Sequence, residues 1–181
     1  MIGTDPAQGS ATTVVPTVVV PVRMVFPRDG SVLDVPGMGQ ELASSPLFTA
    51  FPSVVGTTQY ADVYRRADFW DQVSTTSPDY HTLVGAPTIL PTQTLTVPAA
   101  LGHTALFSPA NRLFGYVDGE GFSGQLKQLI RSLQIDPRTL AIFLEPNTEP
   151  TFAGTSPDAC PGPTCLVAGG YHGALITGTR A

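Results

Sequence analysis

Proline or glycine interrupts nearly every stretch of this chain, with 18 of each among 181 residues. Proline fixes φ and removes an amide donor, while glycine costs a helix interior about 1 kcal/mol relative to alanine. A long helical bundle or a coiled coil is therefore excluded, and turns must be frequent. Disorder is excluded too, because 42% of the residues are hydrophobic and the mean hydropathy is +0.14. A globule of this length buries roughly two-thirds of its unfolded surface, enough to build a core. No apolar run approaches the roughly 18 residues of a membrane-spanning helix, so membrane insertion is not expected.

Net charge is −5, with charged residues at 13% and a pI near 4.9. Eight arginines and the single Lys127 are scattered, and only Arg65 and Arg66 are adjacent. A protein that binds nucleic acid by neutralising phosphates needs a clustered basic face, so no nucleic-acid partner is expected.

The two cysteines, Cys160 and Cys165, bracket Pro-Gly-Pro-Thr. That short loop suits a disulfide, with free thiols as the other reading; a zinc site needs two further ligands, and only His172 follows. Abundant Thr, Ser and Pro, scarce Lys and a disulfide together point to a secreted, extracellular protein. The first residues do not read as a signal peptide: there is no basic segment, and Pro16 and Pro21 break the apolar stretch Val14–Val22. The expectation is a piece of a longer protein.

Along the chain, residues 1–13 read as a flexible N-terminal lead and 14–181 as a single α/β domain, incomplete at its C-terminus. Val14–Phe26 reads as an extended segment ending in a strand over 22–26, closed by the turn Pro27-Arg28-Asp29-Gly30. Residues 31–57 read as a long loop anchored by Leu42, Leu47, Phe48, Phe51 and Val54, with a helical turn near 40–44. Over Thr58–Val73 the residues Tyr60, Val63, Tyr64, Ala67, Trp70 and Val73 recur at helical spacing, which predicts an amphipathic helix with this face inward. Asp62, Arg65, Arg66 and Asp68 fall toward the solvent side, with Asp62 and Arg66 as an i,i+4 pair and Thr57 or Thr58 as N-cap.

Strands are expected over 80–85, 91–97 and, with a turn of helix as the other reading, 101–107; Gln93, Leu95 and Val97 share one face of the second. A second helix carries Phe122, Leu126, Leu129, Ile130 and Leu133, capped by Asp118 or Ser123 and ended at Asp136-Pro137. Thr139–Leu144 is continuously apolar and reads as a strand buried on both faces. Residues 146–163 form a loop, and 166–176 an edge strand around Gly170, Tyr171, His172 and Gly173. The fold class is α/β or α+β, a mixed sheet carrying two main helices.

Most signatures of chemistry are missing. There is no P-loop and no Gly-x-Ser-x-Gly elbow. Gly119-Glu120-Gly121-Phe122-Ser123-Gly124 has a loose glycine-rich spacing, but follows only the weak strand Tyr116-Val117, so the start of a helix is the ordinary reading. His81, His103 and His172 are far apart and no two share a helix face, so no zinc set is complete. His81 and His172 share a Tyr-His context and are brought together if their strands are neighbours. Glu145 and Glu149 flank the end of the apolar strand, where loops present functional groups. No catalytic residue is identified.

The runs Gln59-Tyr60-Ala61-Asp62-Val63-Tyr64-Arg65-Arg66-Ala67-Asp68-Phe69-Trp70, Tyr80-His81-Thr82-Leu83-Val84 and Gly169-Gly170-Tyr171-His172-Gly173-Ala174, with the cysteine loop, resemble a group of secreted bacterial proteins similar to zincin-like metallopeptidases. The resemblance covers most of 20–176. It implies that the edge strand, through Gly170, Tyr171, His172 and Gly173, lies beside a cleft where a peptide or protein adds as a further strand. It also implies a zinc-binding His-Glu helix downstream. This chain contains no such helix, so no ligand is carried over, and zinc and hydrolysis belong to a longer parent protein. The functional expectation is a fragment forming sheet and cleft wall, inactive alone and holding no cofactor; the alternative is an extracellular, non-enzymatic binding module.

Overall fold

The computed structural model describes residues 5–107 and 111–151. The fold is α+β, with 12 strands and 4 α-helices among these residues. The chain divides into two compact units, and each draws on separated segments of the sequence.

The first unit takes the described residues of 1–20, 37–91 and 136–143. Strand β1 (Thr12–Val15) pairs in parallel with β6 (His81–Val84), Thr12 opposite His81 and Val15 opposite Val84. Ser77 donates its hydroxyl to the Pro6 carbonyl, and the Asp79 amide donates to Ser10, which ties the segment before β1 to the approach to β6. The opening residues of β2 (Thr17–Phe26) pair in parallel with β7 (Thr88–Ile89). The first amide of β11 (Leu140–Leu144) donates to the Pro16 carbonyl. Helix α1 (Met38–Ala43), a 3-10 turn at Pro46–Phe48 and the hairpin β4 (Phe51–Ser53) to β5 (Gly56–Thr58) lead into α2 (Tyr60–Asp68) and α3 (Trp70–Val73). Val19, Val20, Val73 and Tyr80 are buried here.

Several expectations for this unit change. The long loop is a string of short elements, and the anchors Phe51 and Val54 are exposed. Phe69, at φ −115 and ψ 31, leaves helical geometry and splits the expected helix into α2 and α3. β11 is not buried on both faces: Leu140 is exposed and the rest of the strand is half-buried. Hydrophobic continuity alone overstates burial wherever a strand is short and near an edge.

The second unit takes the described residues of 21–36, 92–135 and 144–151. The later residues of β2 pair in parallel with β8 (Gln93–Thr96) and antiparallel with β3 (Ser31–Leu33). Pro21, which has no amide to donate, falls between the residues that pair with β7 and those that pair with β8, so it removes no bond from either ladder. Val22, Met24 and Phe26 point inward with Leu95 and Val97, as the alternation predicts.

A second sheet in this unit has the order β12 (Thr148–Thr151), β10 (Arg112–Asp118), β9 (Gly102–Phe107). The segment that looked weak at Tyr116-Val117 is thus the central strand of three. Its length comes from the antiparallel hairpin with β9, a pairing that local propensity does not report. Helix α4 (Gly119–Ser132) follows directly, with Asp118 as N-cap accepting the Gly121 amide at 2.7 Å. Phe122 and Leu126 bury its apolar face, and Gln125 donates to the Thr96 carbonyl at 2.8 Å.

Gly115 allows this sheet to close on β2 and β3. A Cβ there would stand within 2.9 Å of Phe26 Cε2 and 3.1 Å of Leu33 Cδ1, both buried rings and branches without room to retreat. Gly115→Ala is expected to cost about 2 kcal/mol by overpacking. Gly124→Ala, in α4 with nothing near the new methyl, is expected to stabilise by up to about 1 kcal/mol. Urea unfolding of the two variants should move the midpoint in opposite directions.

Candidate functional site

In α2 the apolar and polar faces are reversed relative to the sequence expectation. Asp62 is 0% exposed and Arg66 is buried, whereas Tyr60 is 52%, Tyr64 58% and, in α3, Trp70 54% exposed. The expected inward anchors Tyr60, Tyr64 and Trp70 therefore face outward; of the charges expected on the solvent side, Asp62 and Arg66 face the strand, while Arg65 and Asp68 are exposed as expected.

The buried stripe is Gln59, Asp62 and Arg66, and each of these side chains binds backbone of the segment carrying β6. The Gln59 amide both accepts the Val84 N–H at 2.6 Å and donates to the Val84 carbonyl at 2.9 Å, with a further bond to the Phe48 carbonyl. Asp62 accepts the Thr82 N–H at 2.6 Å, the Thr58 hydroxyl at 2.7 Å and His81 Nδ1 at 2.7 Å. Arg66 donates to the carbonyls of Pro78 and Tyr80. The expected Asp62–Arg66 ion pair is replaced by these bonds. Strand β6 has β1 on one edge, and on the other the side chains of α2 supply the donors and acceptors a neighbouring strand would supply. Thr58, expected as a helix cap, spends its hydroxyl on Asp62; the N-cap is Gln59.

Among the described residues, His81 is the histidine so placed. Its Nδ1 donates to a buried carboxylate that two other donors hold still, which fixes the tautomer and leaves Nε2 on the far side of a ring 30% exposed. A carboxylate behind a histidine is the arrangement that orients imidazoles for proton transfer or for a metal. Among the described residues, however, no group of three or more His, Cys, Asp or Glu side chains converges, so they offer no set that fits zinc. His172, Gly170, Tyr171, Gly173, Cys160 and Cys165 lie outside the described residues.

On the outer face, Tyr60 and Tyr64 are one turn apart, ring centroids 5.0 Å apart and edge to face, with the Tyr60 hydroxyl donating to Tyr64 at 3.1 Å. That bond raises the Tyr60 phenol above its ordinary value. Phe51, from β4, lies 6.4 Å from Tyr60.

In the second unit a row crosses the three-stranded sheet. His103 and Glu149 stand opposite Tyr116 on its two sides, and the His103 ring stacks on Tyr116 at 5.5 Å. Burial, and then the Glu149 charge, raise the Tyr116 phenol; burial also raises the Glu149 carboxyl. Glu145 is pushed up to about 7 by burial, against the opposing pull of its own amide. No helix among the described residues is long and apolar enough to cross a membrane.

Asp62→Ala strands a hydroxyl, an imidazole and an amide, and is expected to cost about 3 kcal/mol in urea unfolding. Tyr64→Ser is expected to fall within about 0.5 kcal/mol of the parent; an apolar-in helix would give the opposite ranking. For Glu145, the folded state holds a proton that the unfolded chain releases between the ordinary 4.5 and about 7. Stability therefore falls as pH rises through that window, and the loss persists above it. Glu145→Gln should remove this slope from a series of unfolding curves taken across the window.

No protein-family model, no curated protein and no solved structure matches this chain, so its site is defined by its own geometry.

Proposed function

We propose that this chain is a secreted, non-catalytic binding module whose contact surface is the aromatic face of α2. The observation that carries this reading is the reversed helix: Gln59, Asp62 and Arg66 are committed to β6, which turns Tyr60 and Tyr64 outward beside Phe51. Tyrosine is a favoured anchor of protein contacts because it offers a large, rigid, amphipathic area with two side-chain torsions to restrain. Arg65, the next residue along α2, is exposed as well. The partner is another protein or a peptide in the extracellular space. Secretion is supported by the Thr/Pro-rich, lysine-poor composition.

A second reading has a specific observation in its favour. The run Gln59–Trp70, which carries much of the resemblance to zincin-like metallopeptidases, contains all three residues of the α2–β6 clamp. What the resemblance shares is then framework, as suits a sheet and cleft wall within a larger hydrolase. In that case another part of the same protein covers the aromatic face, and zinc is held elsewhere in the parent.

Benzoylphenylalanine incorporated at position 64 tests the first reading by photo-crosslinking to co-secreted proteins. One adduct of defined mass is expected, reduced about tenfold by Tyr60→Ser, the loss of a contact hot spot. No adduct, or the same adducts from a probe at position 132, would overturn it. Surface nitration separates the second reading: there, Tyr60 and Tyr64 are protected in the parent protein and reactive in this chain.

A further inference from the structure

The second unit carries a cleft of about 430 Å³, remote in sequence from α2 and independent of its aromatic face. The volume falls within the range of small-molecule sites, roughly 300–1,000 Å³. Its walls are Val32, Leu33, Val35, Leu113 and Pro146, and its polar groups are Asp34, Arg112 and Asn147.

The chemistry of those polar groups is bipolar. Arg112 makes no ion pair with the described residues, in a chain of net charge −5. Asp34 is a carboxylate whose only ion pair among the described residues is a long, exposed one, 3.8 Å from Arg23 Nε. Exposed pairs of this kind hold their partners weakly, so Asp34 is available to a second cation. Asn147 spends its amide N–H on the Leu113 carbonyl at 3.3 Å, which fixes the side chain and leaves its oxygen as an acceptor.

The cleft is also pre-formed. The Asn147 carbonyl accepts the Gly115 amide at 2.8 Å, and the parallel pairing of β10 with β12 continues directly from that bond. Leu33 is nearly buried behind it, and β3 is locked to β2 by antiparallel pairing. Asn147 itself adopts φ 44, a left-handed conformation that Asn tolerates better than most residues and that costs free energy unless its surroundings hold it. A floor so tied needs little ordering when a ligand arrives, which is where weak sites lose affinity.

From this geometry we propose that the cleft binds a zwitterion with an apolar body: a short apolar peptide with free termini. The carboxylate pairs with the Arg112 guanidinium, whose planar fork suits it. The ammonium is received by Asp34 and the Asn147 oxygen, and the apolar side chains lie against Val32, Val35, Leu113 and Pro146. A ligand with one charge leaves either the acidic or the basic pole unmatched, and an uncharged apolar ligand leaves both.

Titrating the full chain, labelled with 15N, with L-leucyl-L-alanine tests this. Saturable amide shifts confined to residues 32–35, 112–115 and 147–148 are expected. Arg112→Gln should weaken the apparent affinity about fivefold, as should Asp34→Asn, the size of one partly exposed charge pair. N-acetyl-L-leucyl-L-alanine amide, with both termini blocked, should give no saturable shifts, and Arg138→Gln, exposed and outside the cleft, should leave the titration unchanged. Absence of shifts with the free dipeptide would overturn the proposal. So would equal binding of the blocked dipeptide, or a full response retained in Arg112→Gln whose spectrum shows it folded.

Discussion

The buried carboxylate of Asp62 sets the terms for the first unit. An ionised carboxylate with no access to water is tolerated only where donors replace its hydration, and here a hydroxyl, an imidazole and an amide do so. Those donors sit on both sides of the helix–strand contact, so α2 and β6 are held in one register by the same group. Burying Tyr60 and Tyr64 instead would gain about 1.5–3 kcal/mol each from the apolar area of their rings. It would also strip Thr82 and Val84 of their partners and leave a charge unsatisfied, at a cost of several kcal/mol. Polar satisfaction outweighs apolar burial, and the aromatic face is the consequence.

The same balance explains which features the sequence discloses. The position of α2 was legible from spacing alone, and so were α4, with Asp118 as one of two cap candidates, and the shared face of Leu95 and Val97 at β8. In α4 and β8 the residues that fit the local period are also those with an apolar neighbour to meet. The orientation of α2 was not legible, since the rule that apolar residues face inward assumes an apolar surface opposite them. What α2 meets is the open edge of a strand, whose amides and carbonyls call for Gln, Asp and Arg. No local pattern announces that edge, because it exists only once β1 and β6 have paired. The side chain that does most at the candidate site, Asp62, reads in sequence as an ordinary helix-surface acid.

The second unit solves a different problem with small residues. Gly115 brings β10 close to Phe26 and Leu33, and Gly102 lies where a Cβ would stand 2.6 Å from the Tyr116 carbonyl. Tight backbone approach then leaves room on the opposite side of β10 for the large side chains of Tyr116 and its cross-strand neighbours His103 and Glu149. A sequence shows these glycines as turn-formers by default. Their role as contacts between sheets depends on what faces them, and a strand pairing made over dozens of residues decides that.

The long-range pairing in the first unit has a kinetic consequence. The hydroxyl bond from Ser77 to Pro6 joins residues 71 positions apart, and the parallel β1–β6 ladder closes a loop of similar size. Loop-closure entropy is lost before any of those bonds forms, whereas the β9–β10 hairpin and α4 are built from near neighbours. Local pieces of the second unit are therefore positioned to form early, and the β1–β6 ladder late. Until α2 docks on β6, Asp62 and Arg66 are ordinary solvated charges on a nascent helix. The polar stripe that fixes the mature structure thus keeps its folding precursor soluble.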